Sequence, residues 1–245
     1  MAVSEGTSGG IDSAQVLAKY GPLARVIEKA TGHKVSVVLT REFSRLEQDM
    51  KAGKSHFVMA RPSDYPARGV RDYGYQLVST MNPEGRCYIL VNKDSPLKTV
   101  QDLKGKRLLF PEKVSYMSKF CRAALRDQGI DVEKEKVTYM REQDAVAWSV
   151  EKGVADAGAV ASYSAPGKRW EKSGGRILFQ SVAQPYFPLI ASKDVAPADI
   201  ARIQDAFRKL EQTDDGAETL SQIGVREFHM EDEKRLLGLL KWLEQ

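Results

Sequence analysis

The chain has 245 residues, 42% hydrophobic, 29% charged and 8% aromatic, an ordinary globular balance with enough core for one large or two small domains. Its formal net charge of +4 comes from 37 basic residues scattered among 33 acidic ones, with no Lys/Arg run or basic stripe, so nucleic acid is not an expected partner. No run nears the roughly 18 apolar residues of a membrane span. No CxxC, HExxH or ribbon spacing joins the two cysteines and three histidines into a zinc site.

In chain order, residues 3–4 read as a short strand and 6–12 as a Gly/Ser/Thr loop. A helix is expected over 14–31, where Val16, Leu17, Tyr20, Leu23, Val26 and Ile27 recur at helical spacing. A strand at 35–39, a helix at 42–52 and a buried-type strand at 56–60 follow. A Pro-, Arg- and Asp-rich loop then leads to strands at 75–81 and 86–92. The pattern restarts with a short helix near 100–103 and a strand at 107–110. A helix over 115–128 ends at Gly129, a residue suited to the left-handed position after a helix. Next come a strand at 137–140, a helix at 143–152, and strands at 157–161, 177–180 and 186–191. Beyond Pro197 the chain reads as helical over 197–212, 217–223 and 231–243. Alternation of strand and helix argues for βαβ units and a largely parallel sheet.

An internal echo appears at an offset of 100 residues. Val37-Val38-Leu39-Thr40-Arg41-Glu42 answers Val137-Thr138-Tyr139-Met140-Arg141-Glu142, and Lys51-Ala52-Gly53 answers Glu151-Lys152-Gly153. His56-Phe57-Val58-Met59-Ala60 answers Asp156-Ala157-Gly158-Ala159-Val160, each followed by a polar loop with a tyrosine. The reading is an α/β protein of two Rossmann-like lobes, residues 1–88 with 187–245 and residues 89–186. Segments 86–92 and 186–191 are expected to cross between them as two crossover strands. Ligands of open α/β sheets bind outside the carboxyl ends of strands, so the loops 5–12, 61–65, 111–117 and 161–165 should face one cleft.

The stretch Tyr20-Gly21-Pro22-Leu23 through Glu28-Lys29-Ala30-Thr31-Gly32-His33-Lys34-Val35 resembles the pattern Y-x-P-L-A-x-x-L-E-x-x-T-G-x-x-V of the phosphate/phosphonate-binding family of periplasmic proteins. Met50-Lys51-Ala52-Gly53, Ser95-Pro96-Leu97 and Leu103-Lys104-Gly105-Lys106 continue the likeness over nearly the whole chain. It implies a type 2 periplasmic binding fold holding a small inorganic anion, with no cofactor and no catalysis. No leader is visible before Glu5, which leaves a cytoplasmic protein or one whose export signal has been removed, and the resemblance implies the second, a periplasmic location.

Candidate ligand contacts follow from the loops. Ser115 is an expected N-cap whose helix offers amides and a dipole to an anion, with Tyr116 and Met117 beside it where the family has small residues. Arg61 could present a bidentate fork to an oxyanion or pair on the surface with Asp64 or Glu42. Ser63, Tyr65 and Tyr163, with Thr7 and Ser8 of the Gly-rich loop, complete the expected set. That loop does not fit G-x-x-x-x-G-K-[ST], so it is not a nucleotide P-loop. Cys87, at the start of an expected crossover strand, is either a small buried hydrophobe or a thiolate ligand for arsenic, and an oxidising compartment would allow it to pair with Cys121. Relatives of the family include arsenite-sensing proteins with a cleft cysteine. The resemblance therefore implies an arsenite sensor reporting to a membrane histidine kinase, or alternatively a phosphate, phosphite or phosphonate receptor of an ABC permease. No histidine lies in the strand-end loops and no carboxylate pair stands out there, so an enzyme is not expected.

Overall fold

The computed structural model describes residues 1–6 and 11–245, which divide into two compact units. Unit 1 comprises Met1–Gly6, Ile11–Glu84 and Pro185–Lys241, and unit 2 comprises Gly85–Gln184 and Trp242–Gln245.

Unit 1 begins with β1 (Ala2–Ser4) and α1 (Ser13–Thr31). Asp12 and Gln15 start α1 with a reciprocal capping box, each side chain accepting the other's amide at 2.8 Å, and Gly32 stops it in the left-handed conformation at φ 75°. Then come β2 (Val38–Leu39), α2 (Phe43–Lys51), β3 (Phe57–Ala60), α3 (Asp64–Asp72) and β4 (Gln76–Gly85). The sequence read residues 61–72 as a loop because of their proline, arginines and aspartates. Pro66 falls in the first turn of α3, where an absent amide breaks no helical bond, and Gly69 lets the helix approach the sheet. A Cβ at Gly69 would lie 2.6 Å from Ile190 Cδ1.

Unit 2 holds β5 (Cys87–Val91), a 3-10 turn at Val100–Leu103, β6 (Arg107–Pro111) and α4 (Tyr116–Arg126). It continues with β7 (Lys136–Met140), α5 (Gln143–Glu151), β8 (Ala157–Ala161), α6 (Ala165–Arg169) and β9 (Arg176–Gln180). The chain returns to unit 1 through β10 (Gln184–Ala191), α7 (Pro197–Leu210), α8 (Asp214–Ile223), β11 (Glu227–His229) and α9 (Glu233–Leu243).

Among the described residues each unit has one sheet. The first runs β11-β4-β10-β3-β1-β2 and the second β7-β6-β8-β5-β9. In both, a three-strand parallel block (β2-β1-β3 and β7-β6-β8) meets an antiparallel strand on the side of its last member, β10 on β3 and β5 on β8. The 100-residue echo maps β2-α2-β3 onto β7-α5-β8, with α2 and α5 each nine residues long.

Two expectations are corrected. Segment 86–92 does not cross between units: β5 lies inside the second sheet, antiparallel to both β8 and β9, and the chain passes at Glu84/Gly85 and Gln184/Pro185. The last four residues also leave the expected first lobe for unit 2. There the Trp242 ring packs edge-on against Phe120 at 5.4 Å and its Nε1 donates to Asp127 at 2.7 Å.

Unit 2 packs α5 on its sheet through Leu90, Leu109, Val146, Val150 and Val160, closed by Trp170, whose indole N–H donates to Val91 O at 3.1 Å. Gly158 allows this approach, since a Cβ there would stand 2.7 Å from Val146 Cγ1. In unit 1, Tyr20, Leu23, Ile27, Met59, Phe187 and Phe207 are fully buried, and Phe228 stacks on Phe207 at 4.1 Å.

Candidate functional site

The carboxyl ends of β1 and β3 in unit 1 gather a buried charged cluster. Glu5, following β1, accepts hydrogen bonds from Arg61, which follows β3, from the Tyr20 hydroxyl and, at 2.8 Å, from Lys19. Arg61 is 7% exposed and Glu5 6%, so the ion pair is interior. The guanidinium lies over the Phe187 ring at 4.6 Å and the Tyr186 ring at 5.4 Å. Phe187 takes a left-handed backbone at φ 50°, a conformation that costs a non-glycine residue energy and that packing against Tyr20 and Arg61 holds in place. Burial pushes the Glu5 carboxyl up, but the charges of Arg61 and Lys19 and the hydrogen bonds from Lys19 and Tyr20 outweigh it and hold Glu5 below the usual carboxylate range. Burial also raises the Tyr20 hydroxyl.

Arg61 was read as either an anion fork or a surface partner of Asp64 or Glu42. The structure gives it a different partner, Glu5, 56 residues away and inside the protein. Ser63 is fully buried and donates its hydroxyl to Pro185 O at 3.0 Å, fixing the end of β3 to the start of the returning chain. Tyr65 stacks on Phe43 at 5.5 Å under the Arg68 guanidinium at 4.3 Å. Burial, with Asp64 next to it, pushes its phenol up to about 12. Thr7 and Ser8 lie outside the described residues.

In unit 2, the carboxyl ends of β6 and β8 carry the other candidates. Ser115 caps α4, its Oγ accepting from Ser118 N at 3.3 Å. Ser118, one residue that sequence reasoning did not single out, is fully buried, and its hydroxyl has no hydrogen-bond partner among the described residues. Tyr116 and Met117 are 3% and 2% exposed. The Tyr116 ring is tilted onto Phe120 at 5.6 Å, and the Tyr163 hydroxyl donates weakly to Met117 Sδ at 3.9 Å. That contact ties the turn after β6 to the turn after β8. Gln143 steadies the second turn by accepting from Ala161 N at 2.7 Å, and Ser164 caps α6 while donating to Ala161 O at 2.7 Å. Gln143 and Ser164 were invisible in sequence because the bonds that steady the turn run to the backbone of Ala161 and Gly167, and backbone partners leave no residue signature.

Cys87 is corrected outright. Its sulfur is bonded to Cys121, with Cα atoms 5.3 Å apart, and both residues are fully buried. Neither presents a thiolate, so the arsenic-ligand role is removed. Among the described residues, no group of three His, Cys, Asp or Glu side chains is arranged to hold a metal, and no helix is long and apolar enough to cross a membrane.

Two α/β sheets of this strand order, on a chain that leaves the first unit and returns to it, make this a type 2 periplasmic binding-protein fold. XAC2383 from Xanthomonas citri, solved bound to ATP, superposes with a TM-score of 0.79 at 14% identity, covering 100% of this chain and 96% of that one. PhnD1 from Prochlorococcus marinus, in complex with methylphosphonate, gives 0.77 at 12% identity over 99% and 96%. The periplasmic aliphatic sulphonate binding protein SsuA from Escherichia coli gives 0.65 at 19% identity over 100% and 78%. A family model described as "ABC transporter, phosphonate, periplasmic substrate-binding protein" matches residues 10–235, and the chain belongs to that family. The family is one of periplasmic solute-binding proteins serving transporters, not of enzymes. It gives no support to the expected histidine-kinase partner or to arsenite sensing.

Proposed function

We propose that this protein is the periplasmic receptor of an ABC importer and captures a small tetrahedral phosphorus oxyanion: phosphate, phosphite or a short alkylphosphonate. The reading rests on the first turn of α4. Helix geometry leaves first-turn amides without intrahelical acceptors, and the dipole favours negative charge there. Beside those amides stands the Ser118 hydroxyl, buried and without a hydrogen-bond partner among the described residues, a group that a bound oxygen would satisfy. Tyr116 and Met117, whose bulk the sequence set against a phosphonate cradle, are buried, Tyr116 tilted onto Phe120 and Met117 in contact with the Tyr163 hydroxyl. That weakens the case against phosphonates. Arsenite would need a thiolate, and the disulfide leaves none.

A thermal-shift panel of phosphate, phosphite, methylphosphonate and arsenite tests the proposal. A ligand at a hundred times its Kd stabilises the folded form by about 2.7 kcal/mol. At least one tetrahedral phosphorus oxyanion should raise the midpoint, arsenite should not, and the S115A/S118A variant should lose the shift. Arsenite acting alone, or a shift untouched in S115A/S118A, overturns it.

A further inference from the structure

We propose that the Cys87–Cys121 disulfide positions the anion-binding turn of α4, an inference that rests on the function proposed above. Cys121 lies three residues past Ser118, one helical turn deeper in α4, and Cys87 is the first residue of β5. The strand end that it grips is fixed from several sides. Cys87 N donates to Ser181 Oγ at 2.9 Å, Ser181 N donates back to Cys87 O at 3.0 Å, and Arg86 reaches Ser181 O at 2.8 Å. Arg86 N donates to Ser162 Oγ at 3.1 Å, and Cys87 stands opposite Ala161 in the sheet. One covalent bond thus joins α4 to the point where the ends of β5, β8 and β9 meet, next to both passages of the chain between units.

The rest of α4 is held by Met117, Phe120, Ala124, Leu125 and other apolar side chains. Apolar burial is not directional. It keeps a helix against a sheet without tying any one backbone position of the helix to a fixed point of the strand. A disulfide supplies that tie, and the groups that depend on that placement are Ser115 Oγ, the Ser118 hydroxyl and the first-turn amides. Its role is positioning, since neither sulfur is exposed to a ligand.

The test compares wild type, C87A/C121A and V150A, the last destabilising the unit 2 core away from α4, with every protein kept well below its unfolding midpoint. Affinity for methylphosphonate and phosphate is measured by calorimetry, and hydrogen exchange reads the amides of the first turn of α4. C87A/C121A should bind about tenfold more weakly or worse while V150A binds as wild type. In ligand-free C87A/C121A the amides of Tyr116, Met117 and Ser118 should exchange faster than in V150A. Unchanged affinity and unchanged exchange, with only a lower midpoint, mean a plain staple and overturn the inference. If wild type binds neither anion, the proposed function fails, and the exchange comparison decides the positioning role by itself. Should C87A/C121A not fold, C87V/C121A, nearer in volume to the disulfide, carries the same comparison.

Discussion

Replacing Arg61 with methionine removes one partner from a buried ion pair while keeping a long apolar stem. Leaving a buried charge without its partner costs about 3–5 kcal/mol. Here Glu5 keeps Lys19 at 2.8 Å, partly exposed to water, and the Tyr20 hydroxyl, so the low end applies. The guanidinium contacts with Phe187 and Tyr186 are worth about 0.5–1 kcal/mol each, and a thioether recovers part of that. The expected cost is about 3 kcal/mol, a fall of roughly 1–3 M in the urea midpoint of unit 1 at slopes of about 1–3 kcal/mol/M. The probe matters: Trp148, Trp170 and Trp242 all lie in unit 2, so indole fluorescence reports that unit, and far-UV circular dichroism is needed to see unit 1. The pH dependence sharpens the test. In wild type the Glu5 carboxyl is depressed, so its contribution is present above the unfolded carboxylate value and lost as pH falls through the lower folded one. In R61M, burial is less opposed and the carboxyl rises, so protonation relieves the defect. The gap between the proteins should therefore narrow from pH 7 towards about pH 4. E5Q/R61M should cost less than the sum of its single changes. A cost below about 1 kcal/mol, or a gap that widens on acidification, refutes the account of this cluster.

Gly167→Ala should be severe, because a Cβ would stand 2.1 Å from Ala161 O, a backbone atom that cannot yield alone. A loss of about 2 kcal/mol or more is expected in the unit 2 transition, read by tryptophan fluorescence. Ser115→Ala should cost about 1 kcal/mol through the lost cap of α4, and unfolding of unit 2 measures it. Tyr65, Tyr73 and Tyr75 are all raised to about 12, so the late step of the tyrosinate absorbance titration should shrink by one phenol, without vanishing, in Tyr65→Phe. Because the neutral form of Tyr65 is favoured in the fold, its contribution holds below the ordinary phenol value of 10.0 and is lost as pH rises towards 12.

The repeated framework was legible because it is written locally. Hydrophobic runs of four or five residues, a glycine stop at Gly129, and the echo at offset 100 all lie within short windows, and they yielded β2-α2-β3 and β7-α5-β8. Helix α3 was missed because proline and charge read as loop wherever first-turn placement is unknown. Strand β11 was missed because three residues carry no period. At the site, the cap at Ser115 was legible from its position before an apolar helix. The partner of Arg61 was not, since Glu5 lies 56 residues back and only the adjacency of β1 and β3 brings the two together. The pairing of Cys87 with Cys121 was likewise one of several states that a sequence permits, and strand β5 under α4 decided it.

The sheet of unit 1 is completed by chain that is synthesised last. Met59 of β3 pairs with Leu189 of β10, a separation of 130 residues, and β11 arrives later still. All five strands of the unit 2 sheet, by contrast, lie in the contiguous stretch from Gly85 to Gln184. A nascent chain can therefore assemble its second sheet while the first still shows an open edge along β3, whose four residues are all buried in the finished protein. Until residue 185 emerges, the edge of β3 that β10 will cover is open to mispairing.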